Sequence, residues 1–213
     1  MKDFIRYLAA SLMLVSLTTA KAEIQYGLAL IAGQTGASGT ENEGTASDTS
    51  DRSKNIEEIF AGGDIFVEHV GDNFTFGVSY VPLEIELGSG KRTDTNAAAD
   101  IASEADTGDR SAEAKLEDLF TFYVNYPLGN EGWYGLAGMH MATLTTQETL
   151  NNSSYGNEDL LGLMLGAGVR AGNLKYEVAY SKFEDIELTA SGGGTNTIDA
   201  EADALTLRVS IGF

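Results

Sequence analysis

The sequence predicts an all-β fold, an eight-stranded antiparallel up-and-down transmembrane β-barrel, and three observations carry that expectation. Apolar residues recur with period two in segment after segment, the pattern of strands whose two faces meet different surroundings. The connections between these segments alternate between short and long. The face opposite the apolar one carries charges of both signs. No window shows an apolar stripe at helical spacing over several turns, and beyond the first 22 residues no run is apolar enough for a transmembrane helix.

Composition agrees. A chain of 213 residues with 43% hydrophobic content has enough apolar material for one barrel. Twenty-five glycines against 2 prolines suit long paired strands. There is no cysteine, which excludes disulfides and thiolate metal sites.

The first 22 residues read as a secretory signal peptide. Lys2 and Arg6 form a basic start, Leu8 to Leu17 is a short apolar stretch, and Ala20-Lys21-Ala22 is a small-x-small cleavage site. The apolar stretch is shorter than the ~20 residues a spanning helix needs. Cleavage leaves residues 23–213 as the barrel. Basic residues then fall from 13 to 10 and acidic residues from 32 to 31, a mature charge of -21. Such a charge repels a phosphate backbone, so no nucleic-acid partner is expected.

The strands follow in order, at roughly 23–34, 58–70, 73–87, 114–127, 132–145, 158–171, 173–188 and 200–213. The first and fifth rest on length and position between turns, because both their faces are apolar in places. In the second, Ile59, Ala61, Gly63, Ile65 and Val67 oppose Phe60, Gly62, Asp64, Phe66 and Glu68. In the third, Phe74, Phe76, Val78 and Tyr80 oppose Thr75, Gly77 and Ser79. In the fourth, Phe120, Phe122, Val124 and Tyr126 oppose Leu119, Thr121, Tyr123 and Asn125. The sixth sets Leu161, Leu163, Leu165, Ala167 and Val169 against Gly162, Met164, Gly166, Gly168 and Arg170. The seventh sets Leu174, Tyr176, Val178 and Tyr180 against Lys175, Glu177, Ala179 and Ser181. The eighth is the clearest, with Leu205, Leu207, Val209, Ile211 and Phe213 on one face and Thr206, Arg208, Ser210 and Gly212 on the other.

Gly71-Asp72, Leu128 to Glu131 and Gly172 are the short connections; about 35–57, 88–113, 146–157 and 189–199 are the long ones. Short turns on one side and long loops on the other are the outer-membrane pattern, with the long loops extracellular. The first two long connections hold almost no large apolar residue, so they are expected to be mobile.

The charges decide which face meets lipid. Asp64, Glu68, Arg170, Lys175, Glu177 and Arg208 fall opposite the apolar residues and are expected to pair inside a narrow barrel. The apolar face then points outward, and closure satisfies every backbone group. The competing reading is a soluble lipocalin-like barrel with these charges in water, which leaves the loop alternation unexplained. Tyr26, Phe74, Phe76, Tyr126, Trp133, Tyr134, Tyr176 and Phe213 gather near the short-turn end, as a headgroup-level girdle or as ordinary strand formers. After Val81-Pro82 the apolar parity reverses, and a bulge at Pro82 is expected to return Leu83, Ile85 and Leu87 to the apolar face.

With these features the mature chain resembles the small outer-membrane barrels of the OmpA-barrel and OmpX type. Its end, with Leu207, Val209, Ile211 and Phe213, is similar to the C-terminal signal read by the barrel-assembly machinery. The resemblance implies outer-membrane lipid and lipopolysaccharide as surroundings. No periplasmic wall-binding domain is expected after Phe213.

Catalytic and metal signals are weak. Only His69 and His140 are present. Some eight-stranded barrels modify lipid A through an outer-rim histidine, but His69 lies near a short turn, and His140 sits mid-strand with its facing open. No zinc spacing occurs. Glu41, Glu43, Asp48, Asp51, Asp94, Asp100, Glu104, Asp106 and Asp109 make the long connections acidic, able to recruit divalent cations weakly but without a calcium-loop pattern. Gly192-Gly193-Gly194 reads as a loop tip and not a phosphate cradle. No cofactor and no enzymatic activity are expected. The expected role is a structural or surface-interaction barrel, with a narrow porin and a lipid A-modifying enzyme as the alternatives.

Overall fold

The computed structural model describes residues 23–42, 52–94, 108–129, 131–149, 153–192 and 197–213. The expected signal peptide, residues 1–22, lies outside them. Among the described residues there is no helix and there are twelve strands: β1 Glu23–Asn42, β2 Arg52–Val70, β3 Thr75–Val81, β4 Ile85–Asp94, β5 Gly108–Pro127, β6 Trp133–Glu148, β7 Ser153–Ser154, β8 Asn157–Ala171, β9 Leu174–Phe183, β10 Ile186–Thr189, β11 Ser191–Gly192 and β12 Thr197–Gly212.

These build eight staves, because β3 with β4 and β9 with β10 each form one interrupted stave, and β7 with β11 forms a separate two-stranded piece. Each stave runs antiparallel to the next. The ring closes where β1 pairs with β12, from Gly27 opposite Gly212 to Asn42 opposite Thr197. Backbone bonds between Tyr26 and Phe213 extend the closure to the last residue, at 2.8 and 3.3 Å. Closure leaves no first or last strand edge, which is what a lipid environment requires.

The exterior is apolar over a defined height. Leu30 is 74% exposed, Leu163 70%, Leu165 68% and Leu207 60%, a continuous apolar surface far beyond what a soluble monomer shows. Along β12 and the residue after it, the apolar face runs from Leu205 to Phe213, nine residues, the length of a tilted spanning strand of about 9–11 residues. Beyond Leu205 the barrel wall continues with Asp199, Glu201 and Asp203.

Three expectations are corrected. First, much of the predicted connections 35–57, 88–113, 146–157 and 189–199 is strand. Gly36 pairs with Glu57 and Thr40 with Ser53, and Lys91 pairs with Ser111. Beyond the apolar belt the outer face turns polar, and on β1 and β12 the inner face carries small residues such as Ala37, Gly39, Ala200 and Ala202, so alternation fades while the backbone ladder continues. What remains of these connections, 43–51, 95–107, 150–152 and 193–196, lies outside the described residues, as do Glu43, Asp48, Asp51, Asp100, Glu104, Asp106, Gly193 and Gly194.

Second, pairing is interrupted at Pro82, but Ile85 and Leu87 do not move to the outside. Val81 faces Leu119 and Ile85 faces Leu116, so three residues on one stave span two on the other. Beyond the break Ile85 and Leu87 are buried in the lumen, and only Leu83 is exposed. A matching irregularity in β5 lies at Asp118, whose φ is 51°. Third, Tyr134 leaves the girdle and points inward, and Phe76 is only half exposed. Tyr26, Phe74, Tyr126, Trp133, Tyr176 and Phe213 remain on the outer surface at the short-turn end, where Phe74 and Tyr126 lie ring against ring at 5.6 Å.

Candidate functional site in the lumen

Alternation along each stave places one set of side chains inside, and in the short-turn half that set is charged. The strands β2, β8, β9 and β12 contribute Asp64 and Glu68, Arg170, Lys175 and Glu177, and Arg208. The six expected interior charges form two ion-paired clusters in the lumen, which both reach the Phe66 ring. Arg208 forks onto Asp64, Nε to Oδ2 at 2.7 Å and Nη2 to Oδ1 at 2.9 Å, and its Nη1 donates to Glu177 Oε2 at 2.5 Å. Lys175 donates to Glu68, and Arg170 Nη2 reaches the other Glu68 oxygen at 3.5 Å. Three cations thus balance three carboxylates.

The clusters are sealed by aromatic side chains. Tyr123 donates to Glu68 at 2.9 Å and Tyr134 to Glu177 at 2.8 Å. The Phe66 ring is approached by two cations, with Lys175 Nζ 4.6 Å and the Arg208 guanidinium carbon 4.7 Å from its centre, a favourable arrangement for a desolvated cation. Glu68 and Lys175 are almost wholly buried. Burying lone charges is costly, and only pairing with full hydrogen bonding makes such a set tolerable. Neither tyrosine was singled out from sequence as a site residue. The available signal was a glycine directly opposite each. Tyr123 faces Gly77 and Tyr134 faces Gly168, and a Cβ at either glycine would run into the tyrosine ring.

His140 also points inward. Its Nδ1 pairs with Thr121 Oγ1 and its Nε2 with Ser181 Oγ, each at 2.8 Å, and its ring lies 5.7 Å from that of Phe183. It ties β5, β6 and β9 together. His69 sits at the short-turn end of β2.

Above the charges the lining changes. A small cavity of about 90 Å³ lies between the Asp64–Arg208–Glu177 group and an apolar layer including Ile31, Val81, Leu116 and Phe183. Beyond that layer the lumen widens into a cup of about 510 Å³, reaching toward the long-connection end and lined by aliphatic side chains such as Leu87, Leu144 and Leu188 together with serines and charged residues such as Glu113 and Lys91. Among the described residues no group of three or more His, Asp or Glu is placed to hold a metal ion.

An outward apolar belt, a closed eight-stave ring and an ion-paired lumen define a small transmembrane β-barrel. No protein-family model matches the chain, and no curated protein matches it significantly. Among solved structures it is similar to Neisserial surface protein A, at 12% identity over 91% of this chain and 99% of that one, TM-score 0.45. It is similar to Ail, the attachment invasion locus protein of Yersinia pestis, crystallised with the heparin analogue sucrose octasulfate, at 13% identity over 90% and 99%, TM-score 0.42. It is also similar to the outer membrane protein OprG from Pseudomonas aeruginosa, at 12% identity over 88% and 95%, TM-score 0.49.

Proposed function

We propose that the chain is exported by its N-terminal segment to the bacterial outer membrane and serves there as a non-enzymatic barrel, closed to free solute flow, that holds an acidic rim at the cell surface. The observation that carries this reading is the charged layer made of two ion-paired clusters, Asp64–Arg208–Glu177 and Glu68–Lys175–Arg170, that both reach the Phe66 ring. It fills the cross-section of a barrel whose eight staves leave room for little more than side chains. The apolar belt supports membrane residence, because such a surface in water would drive aggregation. The short turns Gly71–Phe74 and Leu128–Trp133 suit the periplasmic side. Outer-leaflet lipid and lipopolysaccharide are the surroundings, and the barrel-assembly machinery reads the alternation ending at Phe213.

Planar-bilayer recording of the refolded protein tests closure. The wild type holds the baseline, and Arg208→Ala combined with Lys175→Ala opens measurable events. Wild-type conductance well above baseline would replace this reading with a narrow porin. Altered lipid A mass on expression, lost in His140→Ala, would replace it with an enzyme.

A further inference from the structure

The lumen of a membrane barrel is ordinarily polar, because its outside already takes the apolar residues. Here the half toward the long connections is apolar inside. Leu87, Leu144, Ile186, Leu188 and Ala202 are buried there, with Ile198 packed against them. They surround the cup of about 510 Å³, within the ~300–1,000 Å³ range of small-molecule sites, which are likewise mostly apolar. Water against this buried aliphatic cluster gains few hydrogen bonds, so an apolar occupant there is favoured by the area it removes from water.

The wall beside the cup is also incomplete. β2 pairs with β3 only from Ile65 to Val70, and β4 pairs with β5. Among the described residues no backbone ladder joins β4 to the Arg52–Asp64 half of β2. Side chains bridge the gap instead. Lys54 Nζ donates to the Ser89 carbonyl at 3.2 Å, Ile56 lies against Gly88, and Leu83 lies beside Gly62. Ile59 and Leu83, 87% and 55% exposed, flank the gap at the edge of the apolar belt. A rim holding Glu41, Glu113, Glu148 and Glu201 against Lys54 and Lys91 disfavours anions such as fatty carboxylates.

We propose that the cup binds one small uncharged apolar molecule, which enters from the outer leaflet through the gap between β2 and β4. The lateral route rests on the membrane placement proposed above. Liposome flotation reports that placement separately, so failure of one is distinguishable from failure of the other.

Benzophenone photolabelling of the mature protein in lipid nanodiscs tests the site, with adducts mapped by peptide mass spectrometry. Saturable labelling at Leu87, Leu144 or Leu188, competed by excess biphenyl, is expected. Ala200→Trp, which fills the cup with apolar bulk, should lower labelling there about tenfold, equivalent to roughly 1.4 kcal/mol. Label confined to lipid-facing residues such as Leu163 and Leu207 would overturn the site, as would cup labelling unaffected by Ala200→Trp in a heat-modifiable barrel. The chain has no cysteine, so Ile56→Cys with Gly88→Cys creates the one disulfide that spans the gap. Oxidation should slow cup labelling and reduction restore it. An unchanged rate in the oxidised protein would overturn lateral entry.

Discussion

Arg208 holds Asp64 inside the lumen by two parallel hydrogen bonds of 2.7 and 2.9 Å, although 144 residues separate them in sequence. The pair ties β12 to β2 over the intervening β1. Removing the guanidinium leaves Asp64 and Glu177 buried without their cation. Arg208→Ala should therefore cost about 3–5 kcal/mol in urea unfolding of the reconstituted barrel. Arg208→Met with Asp64→Leu and Glu177→Leu should lose less than Arg208→Ala alone, since neither carboxylate is then left buried without its cation.

The glycine beneath each inward tyrosine makes a second prediction. Gly77→Val places methyls where the Tyr123 ring lies and should destabilise the barrel by about 1–3 kcal/mol, read from denaturant midpoints. Tyr123→Ala should offset part of that loss in the double variant. Additive losses in the cycle would mean that the two side chains do not share the space.

His140 bridges two hydroxyls inside the wall. His140→Leu leaves Thr121 and Ser181 without that partner and should lower stability by about 1–3 kcal/mol. Lipid A mass in expressing cells should not change between wild type and variant.

Phe213 is 68% exposed and paired by its backbone with Tyr26. Phe213→Ala should thus change the refolded barrel's stability little, by about 1 kcal/mol or less. The same variant should sharply reduce the amount assembled in cells, measured by heat-modifiable band intensity, because the terminal aromatic belongs to the signal that the C-terminal resemblance implies.

Much of this was legible in the sequence where one face meets lipid and the other does not. Leu205 to Phe213 and Leu174 to Ser181 alternate without exception, and the burial of Lys175, Glu177 and Ser210 follows that phase. The six interior charges were readable from the same parity. Ile85 and Leu87 were not, because an apolar residue above the membrane carries no mark of which side it faces. Tyr134 was misread because a tyrosine suits both a headgroup girdle and a buried hydrogen bond, and only Gly168 opposite it separates the two. The outward extensions of β1 and β2 were missed because Gly36, Ser38 and Thr40 on one side leave no apolar rhythm, while the ladder depends on backbone groups alone.

The most direct measurement is spin-label accessibility along β12 in bilayers, with single cysteines placed from Leu205 to Phe213. Labels at 205, 207, 209, 211 and 213 should collide with membrane-dissolved oxygen, while those at 206, 208, 210 and 212 should be shielded from it. The opposite phase, or uniform contact with a water-soluble nickel chelate, would mean that the apolar face does not meet lipid and that the barrel is not inserted.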